Sequence, residues 1–449
     1  MARSTDRRRR RATTRARLQP GIPEPAMTTT PTPVVPAAPL RQNRNFSLLW
    51  LGEGVSLLGN ATTAVLLPLL AVVDFGAGAG WMGALTAAAW LPWLVIGLPA
   101  GAWVDRMPPR RVMIIADLVA AVALASVPVA WLAGALTLPH LVVVALANGT
   151  CTVFFRTAYG RLIPGIVETH HLEQANGRMF GTESAMQVVG PGAGGLMAQF
   201  LSAAGGLAVD AVSYVVSAVC LWRIRPNGES HRPTSDVEPL ATRIREGIAY
   251  VAHDPYLRPL TLIGGLSNLG LTGFTTLLVL FMVDDLALSP SAVGLVMMTG
   301  SIGGLLGATF ARRLSQRLGS GRASTWLLLC SGPTTLLLPL SRPGWQIVWL
   351  IAGLFLVGLF VVSGNVIRNA WRQRYVPGHL MGRAITTSQV VNFGTMPVAA
   401  AVAGVLGEHL GLRPTIALMA GIHLLACLAI LRTSLARLRD LPSTLHSPR

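Results

Sequence analysis

The sequence predicts an all-α polytopic membrane protein with twelve transmembrane helices in two six-helix, pseudo-symmetric bundles. Three observations predict it: the length and number of the apolar runs, the one-sided distribution of the arginines, and a repeat between the two halves of the chain. Of 449 residues, 52% are hydrophobic and 12% charged, the latter about half the share of a soluble domain. A chain of this size with so few charges cannot cover its own surface in water.

The apolar runs begin at Phe46 and recur twelve times, each roughly 18 to 28 residues, the length a helix needs to cross a ~30 Å hydrocarbon core. They fall at about 46–73, 80–104, 112–134, 139–159, 174–200, 204–222, 258–283, 289–311, 323–340, 345–368, 382–406 and 412–432. Pro68, Pro92, Pro99, Pro128, Pro191, Pro333, Pro339 and Pro397 stand inside them. Membrane helices tolerate such breaks because neighbouring helices re-satisfy the freed backbone groups. Tryptophans such as Trp81, Trp131, Trp345 and Trp349 fall near span ends, as interfacial anchors do.

The formal net charge is +17, and all 36 basic residues counted as Lys+Arg are arginine. Such an excess invites a nucleic-acid reading, but its placement argues otherwise. With both tails inside, 34 of the 36 arginines fall on or near the inner side, Arg342 and Arg413 being the exceptions. Asp74, Asp284, Asp285 and Glu408 mark the outer loops. This is the positive-inside pattern, so a multi-pass protein of the cell membrane with cytoplasmic N- and C-termini is expected, and no nucleic-acid partner. The missing lysine excludes a Walker A loop and Schiff-base chemistry. Cys151, Cys220, Cys330 and Cys427 are scattered within apolar runs and read as small buried hydrophobes. No His/Glu metal cluster, GxSxG elbow or Ser-Lys dyad is apparent, so no metal, cofactor or enzyme activity is expected.

Five segments follow. Residues 1–40, rich in Arg, Pro and Thr with no apolar region directly after, read as a disordered basic cytoplasmic tail. Residues 41–222 form the N-terminal six-helix bundle and 258–432 the C-terminal one. Between them 223–257 is a cytoplasmic linker with an amphipathic helix from Leu240 to Ala252, where Ile244, Ile248 and Val251 oppose Arg243, Arg245 and Glu246. Residues 433–449 are a second cytoplasmic tail. The halves repeat: Arg161-Leu-Ile-Pro164-Gly165 answers to Arg374-Tyr-Val-Pro377-Gly378, Gln187-Val-Val to Gln389-Val-Val, and Ser56 to Ser267. Parallel repeats with a site between them suit alternating access.

Gly101-Ala-Trp-Val-Asp105-Arg106 leads into the loop between the second and third spans, with Pro108-Pro109 and then Arg110 and Arg111 following. With this loop and its twelve spans the chain, over roughly residues 41–432, resembles the major facilitator superfamily, whose loop signature usually has a glycine where Pro108-Pro109 stand. In the fifth span Gly190-Pro191-Gly-Ala-Gly194-Gly195 looks like the GPxxGG element of its antiporter branch. Leu40-Arg41-Gln-Asn-Arg44-Asn-Phe46 through Leu58-Gly59-Asn60, and Asp210-Ala-Val-Ser-Tyr, are similar to the macrolide-efflux and siderophore-exporter branch. The resemblance implies that spans one, four, seven and ten line a central cavity.

Charge inside a bilayer costs several kcal/mol, so the intramembrane carboxylates Glu53, Asp117, Glu183 and Asp210 are candidates for function. Glu53, Ser56, Asn60 and Thr63 form a polar stripe on one face of the first span, and Asn268, Thr272 and Thr275 repeat it on the seventh. Glu53 can instead pair with a nearby arginine. Glu183 has Gln187 one turn on; burial makes ionisation costly, which suits a group that takes and releases a proton. Its alternative is an ion pair with Arg178 or Arg156. Asp210 is expected to make a structural hydrogen bond. Asp117 is expected to join a cytoplasmic charge network with Asp105 and Arg106 at the gate loop. The helix-five glycines permit close helix approach, and His423 reads as a satisfied buried histidine. Secondary export of a drug-like or siderophore-like small molecule by proton antiport follows, by a monomer in the lipid bilayer. Proton-coupled or facilitated uptake of a metabolite, and a non-transporting membrane receptor, remain as alternatives.

Overall fold

The computed structural model of the chain describes residues 40, 43–104, 106–225 and 240–442. Fourteen helices of eight residues or more make up the described structure, and no strand occurs among the described residues. This is the expected outcome for backbone in hydrocarbon, where every N–H and C=O must be satisfied within its own segment. In chain order they are α1 (Arg44–Phe75), α2 (Ala79–Val95), α3 (Gly97–Val104), α4 (Pro109–Leu132), α5 (Leu138–Ile166), α6 (Leu172–Leu201) and α7 (Ala203–Arg223). After α8 (Leu240–His253) come α9 (Leu257–Leu280), α10 (Pro290–Leu318), α11 (Ser320–Thr335), α12 (Ile347–Tyr375), α13 (Gly378–Leu410) and α14 (Leu412–Ala429). Asn43, Thr137, Ser202 and Ser289 cap α1, α5, α7 and α10 with side-chain acceptors.

Ten of the described helical segments are long and apolar enough to cross a membrane. The other two of the twelve spans are α2 with α3, and α6. The second span, expected as one helix, is broken at Ile96, because Pro99 has no N–H to give the Val95 carbonyl. α6 has 30 residues, ample to cross, but Glu173, Arg178 and Glu183 lower its hydropathy. Large apolar side chains cover the outside of the bundle: Phe200 is 80% exposed, Leu132 78% and Trp222 69%. Water would not tolerate such a surface on a monomer of this size, whereas lipid is its natural solvent. The chain is a multi-pass membrane protein.

Helix packing shows the internal symmetry. In the first half α1 packs on α6 and α7, α4 on α5 and α7, and α2 on α5. In the second half α9 packs on α13 and α14, α11 on α12 and α14, and α10 on α12. Each pairing has its counterpart at the equivalent position. The halves meet along two seams, α2 with α13 and α6 with α10, and the same correspondence exchanges these seams.

Both seams are tightest at the end holding the short turns 76–78, 202, 286–289 and 411, here called the distal end. A Cβ on Gly83 would lie 2.8 Å from both the Ala400 carbonyl oxygen and Gly404 Cα. One on Gly195 would lie 2.6 Å from the Pro290 oxygen and 2.8 Å from Gly294 Cα. Backbone touches backbone across the seam, which only glycine allows. The Gly80 N–H, in the first turn of α2, donates to Glu408 Oε1 of α13 at 3.1 Å. Arg413 pairs with Asp285 at 3.2 Å and lies over the Phe281 ring.

Two segments differ from simple tails and linkers. Asp254, just after α8, accepts from the Tyr256 and Leu257 N–H groups at 2.9 and 2.8 Å and from the Tyr375 hydroxyl at 2.8 Å. Within α8 Val251 is buried but Ile248 is 53% exposed. Residues 433–442 fold back instead of trailing away: the Gly321 and Arg322 N–H groups donate to the Arg439 carbonyl, the Ser320 N–H to Asp440, and the Trp371 indole to the Pro442 carbonyl. The unsatisfied N–H groups that open α11 thus find their acceptors in this segment. The expected tail at 1–40, apart from buried Leu40, and 226–239 of the linker lie outside the described residues.

Replacing Gly195 by Val should force α6 and α10 apart at the distal end. Pulsed electron–electron distances between spin labels at 201 and 289 should then gain a longer population; an unchanged distribution would contradict this packing.

Candidate functional site

Two cavities open within the bundle, one in each half. The first, about 340 Å³, is lined by Glu53, Ser56, Leu57 and Asn60 of α1, Trp90 of α2, Ala116 and Asp117 of α4, Cys151, Thr152, Phe155 and Arg156 of α5, and Tyr214 of α7. The α1 residues at i, i+3 and i+7 share one face, so the helix turns this polar stripe into the bundle. Glu53 is 7% exposed and Asp117 1%, and one carboxylate oxygen of each, Oε2 and Oδ2, has no hydrogen-bond partner. Ser217 donates to the Asp117 side chain. The Tyr214 hydroxyl stands between the side-chain oxygens of Asn60, at 2.6 Å, and Asn148, at 3.0 Å. Beside Glu53, Arg156 Nη2 pairs with Glu183 Oε1 at 2.6 Å.

The second cavity, about 450 Å³, lies among α9, α12 and α13. Ser267 and Asn268 enter from α9, Asn365, Arg368, Asn369 and Arg372 from α12, and Ser388, Gln389, Asn392 and Phe393 from α13. Asn268 Nδ2 donates to Asn392 Oδ1 at 3.3 Å. Phe393 also meets Trp93 and Trp90 of the other half, with ring centroids 5.2 and 5.8 Å apart.

The structure sorts the residues expected from sequence. Glu53, Ser56 and Asn60 reach the first cavity and Asn268 the second. Thr63 does not: its hydroxyl donates to Asp210 Oδ2 at 2.5 Å, and Ser213 donates to Asp210 Oδ1 at 2.8 Å. The α1–α7 contact consumes both Thr63 and Asp210. Thr272 is buried and Thr275 bonds back to its own helix, so neither lines a cavity. Gln187 is exposed on α6 and lines neither. Asp117 departs furthest from expectation, because the turn of α4 brings it to Glu53 and away from the gate loop. In that loop Asp105 lies outside the described residues, and Arg106 is exposed. Arg110 donates to the Leu221 carbonyl at 2.8 Å and to the Trp222 carbonyl, closing the end of α7, while Arg111 is exposed. Arg161 donates to the Val104 carbonyl at 2.7 Å. Gly101 has no neighbour within reach of a Cβ.

The glycine element of α6, the fifth span, splits by the neighbour it packs on. Gly190 and Gly194 face Ala61 and Thr62 of α1, while Gly195 faces Gly294 across the seam and the Pro191 carbonyl approaches Gly294. His423 is fully buried among Ser267, Ser331 and Cys427. Glu168, His170 and His171 bring ligand atoms within 4.8 Å of one another before α6, a grouping not singled out from sequence; it is largely exposed.

Sequence reasoning missed Arg368 and Arg372. Their place at the end of the apolar run 345–368 gives them the look of topology-setting arginines. The signal was present: Asn365, Arg368, Asn369 and Arg372 recur at i, i+3, i+4 and i+7, a polar face continuing past the apolar run.

A family model described as Major Facilitator Superfamily matches residues 49–395 and 260–445. The multidrug efflux pump Tap of Mycolicibacterium fortuitum is 29% identical over 395 residues, covering 85% of this chain and 93% of that protein. Macrolide efflux protein A of Streptococcus pyogenes is 22% identical over 400 residues, covering 88% and 97%. Among solved structures, the fold matches a bacterial homologue of the iron transporter ferroportin in an inward-facing state, with TM-score 0.70, 17% identity, and coverage of 87% and 98%. It also matches the nucleoside transporter NupG, with TM-score 0.70, 12% identity, and coverage of 86% and 98%.

If Thr63 serves the α1–α7 contact and not the cavity, Thr63→Val should lower stability by about 1–2 kcal/mol by leaving Asp210 short of a donor. Thermal unfolding in detergent should show the loss, while the concentration of transported compound giving half-maximal flux should not move.

Proposed function

The chain belongs to the Major Facilitator Superfamily and is a non-enzymatic membrane transporter related to efflux pumps, and we propose that it exports its substrate by proton antiport with alternating access. The observation that carries the coupling is the pair of buried carboxylates, Glu53 and Asp117, facing one cavity, each with an oxygen that meets no donor. A membrane protein keeps such groups where they bind an ion or a substrate. Arg156, held by Glu183, stands beside Glu53 as the nearby positive charge against which loading and release of a proton work.

The arginine asymmetry supports the membrane orientation used in this cycle. With the arginine-rich end in the cytoplasm, the glycine seams at the distal end close the outer side, and the cavities face inward. Export then begins with substrate entering from the cytoplasm. Separation of Gly83 from Gly404 and of Gly195 from Gly294 opens the outer side, where substrate leaves and a proton reaches Glu53 or Asp117. Return to the inward state delivers that proton to the cytoplasm. The gate-loop residues Gly101, Asp105, Arg106, Arg110 and Arg111 close the cytoplasmic side in the outward state. One charge crossing ~100 mV supplies about 2.3 kcal/mol, and one pH unit about 1.4 kcal/mol, enough for at least tenfold accumulation. One chain supplies both cavity walls, so a monomer suffices.

Everted vesicles carrying the protein should accumulate norfloxacin, a flat zwitterion with a carboxylate and an ammonium, when acidified inside, and norfloxacin should in turn speed dissipation of the pH gradient. Glu53→Gln with Asp117→Asn should lower the proton-driven rate by about tenfold or more while sparing downhill norfloxacin exchange. Equal proton-driven rates in the variant and the unaltered protein would refute coupling through this pair.

A further inference from the structure

The second cavity contains a charge that the transport cycle above does not use. Arg368 and Arg372 stand one turn apart on α12 and both line the cavity, where no Asp or Glu joins them. Among the described residues neither arginine makes an ion pair. Arg368 donates to Asn365 Oδ1 at 2.8 Å and reaches Ser324 Oγ at 3.5 Å; the Arg372 guanidinium makes no hydrogen bond there. Arg374, two residues on, behaves as an ordinary topology arginine: it is exposed and bonds only to Ala370 of its own helix.

A guanidinium offers five donors in a planar fork that matches an oxyanion. Two forks one turn apart, without a protein carboxylate, leave most of those donors for a ligand. The rest of the lining fits the same occupant. Asn268, Asn369, Gln389 and Asn392 supply neutral amides that orient polar groups without competing charge. Phe393 and Phe360 supply aromatic surface, and Trp90 and Trp93 extend it from the other half. The cavity therefore has a basic side, an amide rim and a flat apolar wall.

We propose that the cavity among α9, α12 and α13 binds the anionic group of the substrate, an organic oxyanion with a flat apolar body, through Arg368 and Arg372. This rests on the reading of the chain as an exporter and adds the substrate's chemistry to it. The two halves then divide the work: the acids of the first half handle the proton, and the arginines of the second hold the anion. A substrate that also bears a cationic group would place it toward Glu53 and Asp117.

The test uses the full chain in lipid nanodiscs and a matched pair of probes, 1-naphthoate and its uncharged analogue 1-naphthamide, with binding read by quenching of tryptophan fluorescence. Naphthoate should bind about tenfold or more tightly than naphthamide, the worth of a charge-assisted pair. The Arg368→Gln/Arg372→Gln variant should lose that preference with naphthamide affinity unchanged, and Arg368→Lys/Arg372→Lys should restore part of it, which separates lost recognition from misfolding. Equal affinity for the two probes, or a preference that survives in the glutamine variant, would overturn the proposal. So would inorganic phosphate filling the site as tightly as naphthoate, since the aromatic wall would then contribute nothing. Binding is read without transport, so the exporter reading can fail in the vesicle assay while this one stands, and the reverse.

Discussion

Withdrawing an ionised side chain from water into a hydrocarbon slab costs several kcal/mol unless protein groups replace the lost hydration, and the charges of this chain divide by whether that replacement is complete. Asp210 has two hydroxyl donors, Thr63 and Ser213, and joins α1 to α7. Glu183 has Arg156. Arg110 and Arg161 spend their donors on carbonyls at helix ends. What remains faces the two cavities: Glu53 and Asp117 in one half, Arg368 and Arg372 in the other. Incomplete satisfaction is tolerable there because a cavity admits water, a proton or a ligand. The sites follow from that division.

The same economy governs how the halves meet. Helices in lipid gain little from burying apolar surface against one another, so close approach has to come from small residues. The distal seams use it fully, with Gly83 against Gly404 and Gly195 against Gly294. Such contacts make that end compact; among the described residues no ion pair crosses either seam, and Glu408 accepts from the Gly80 N–H at the α2 N-terminus. The internal repeat makes the two seams equivalent, which suits the alternating-access cycle proposed above.

Much of this was legible in the chain itself. Span number came from apolar run lengths, since a helix must cover a set thickness of hydrocarbon, and the two-bundle plan from the repeated motifs. Glu53, Ser56 and Asn60 were found because helical spacing puts them on one face. Periodicity failed at Thr63, Thr272 and Thr275, because a stripe says which residues share a face and not where a neighbouring helix covers it. It failed differently at Asp117, which lines the same cavity as Glu53 although the two stand on different helices. Arg368 and Arg372 were read as topology charges, since at the end of a span a snorkelling arginine and a cavity arginine look alike in sequence.

The sequence by itself determined the solvent the protein folds in, the number of crossings and the repeat, because these depend only on composition and spacing along the chain. The arginine asymmetry belongs to that set too. Only the tertiary structure decided which charges are met and which face open space, because this depends on helices far apart in the chain: Thr63 from α1 meets Asp210 from α7, whereas Glu53 from α1 and Asp117 from α4 line one cavity, each with an oxygen that meets no donor. It also separated arginines that look alike in sequence: Arg110 and Arg161 close helix ends, Arg156 pairs with Glu183 at the first cavity, and Arg368 and Arg372 face the second.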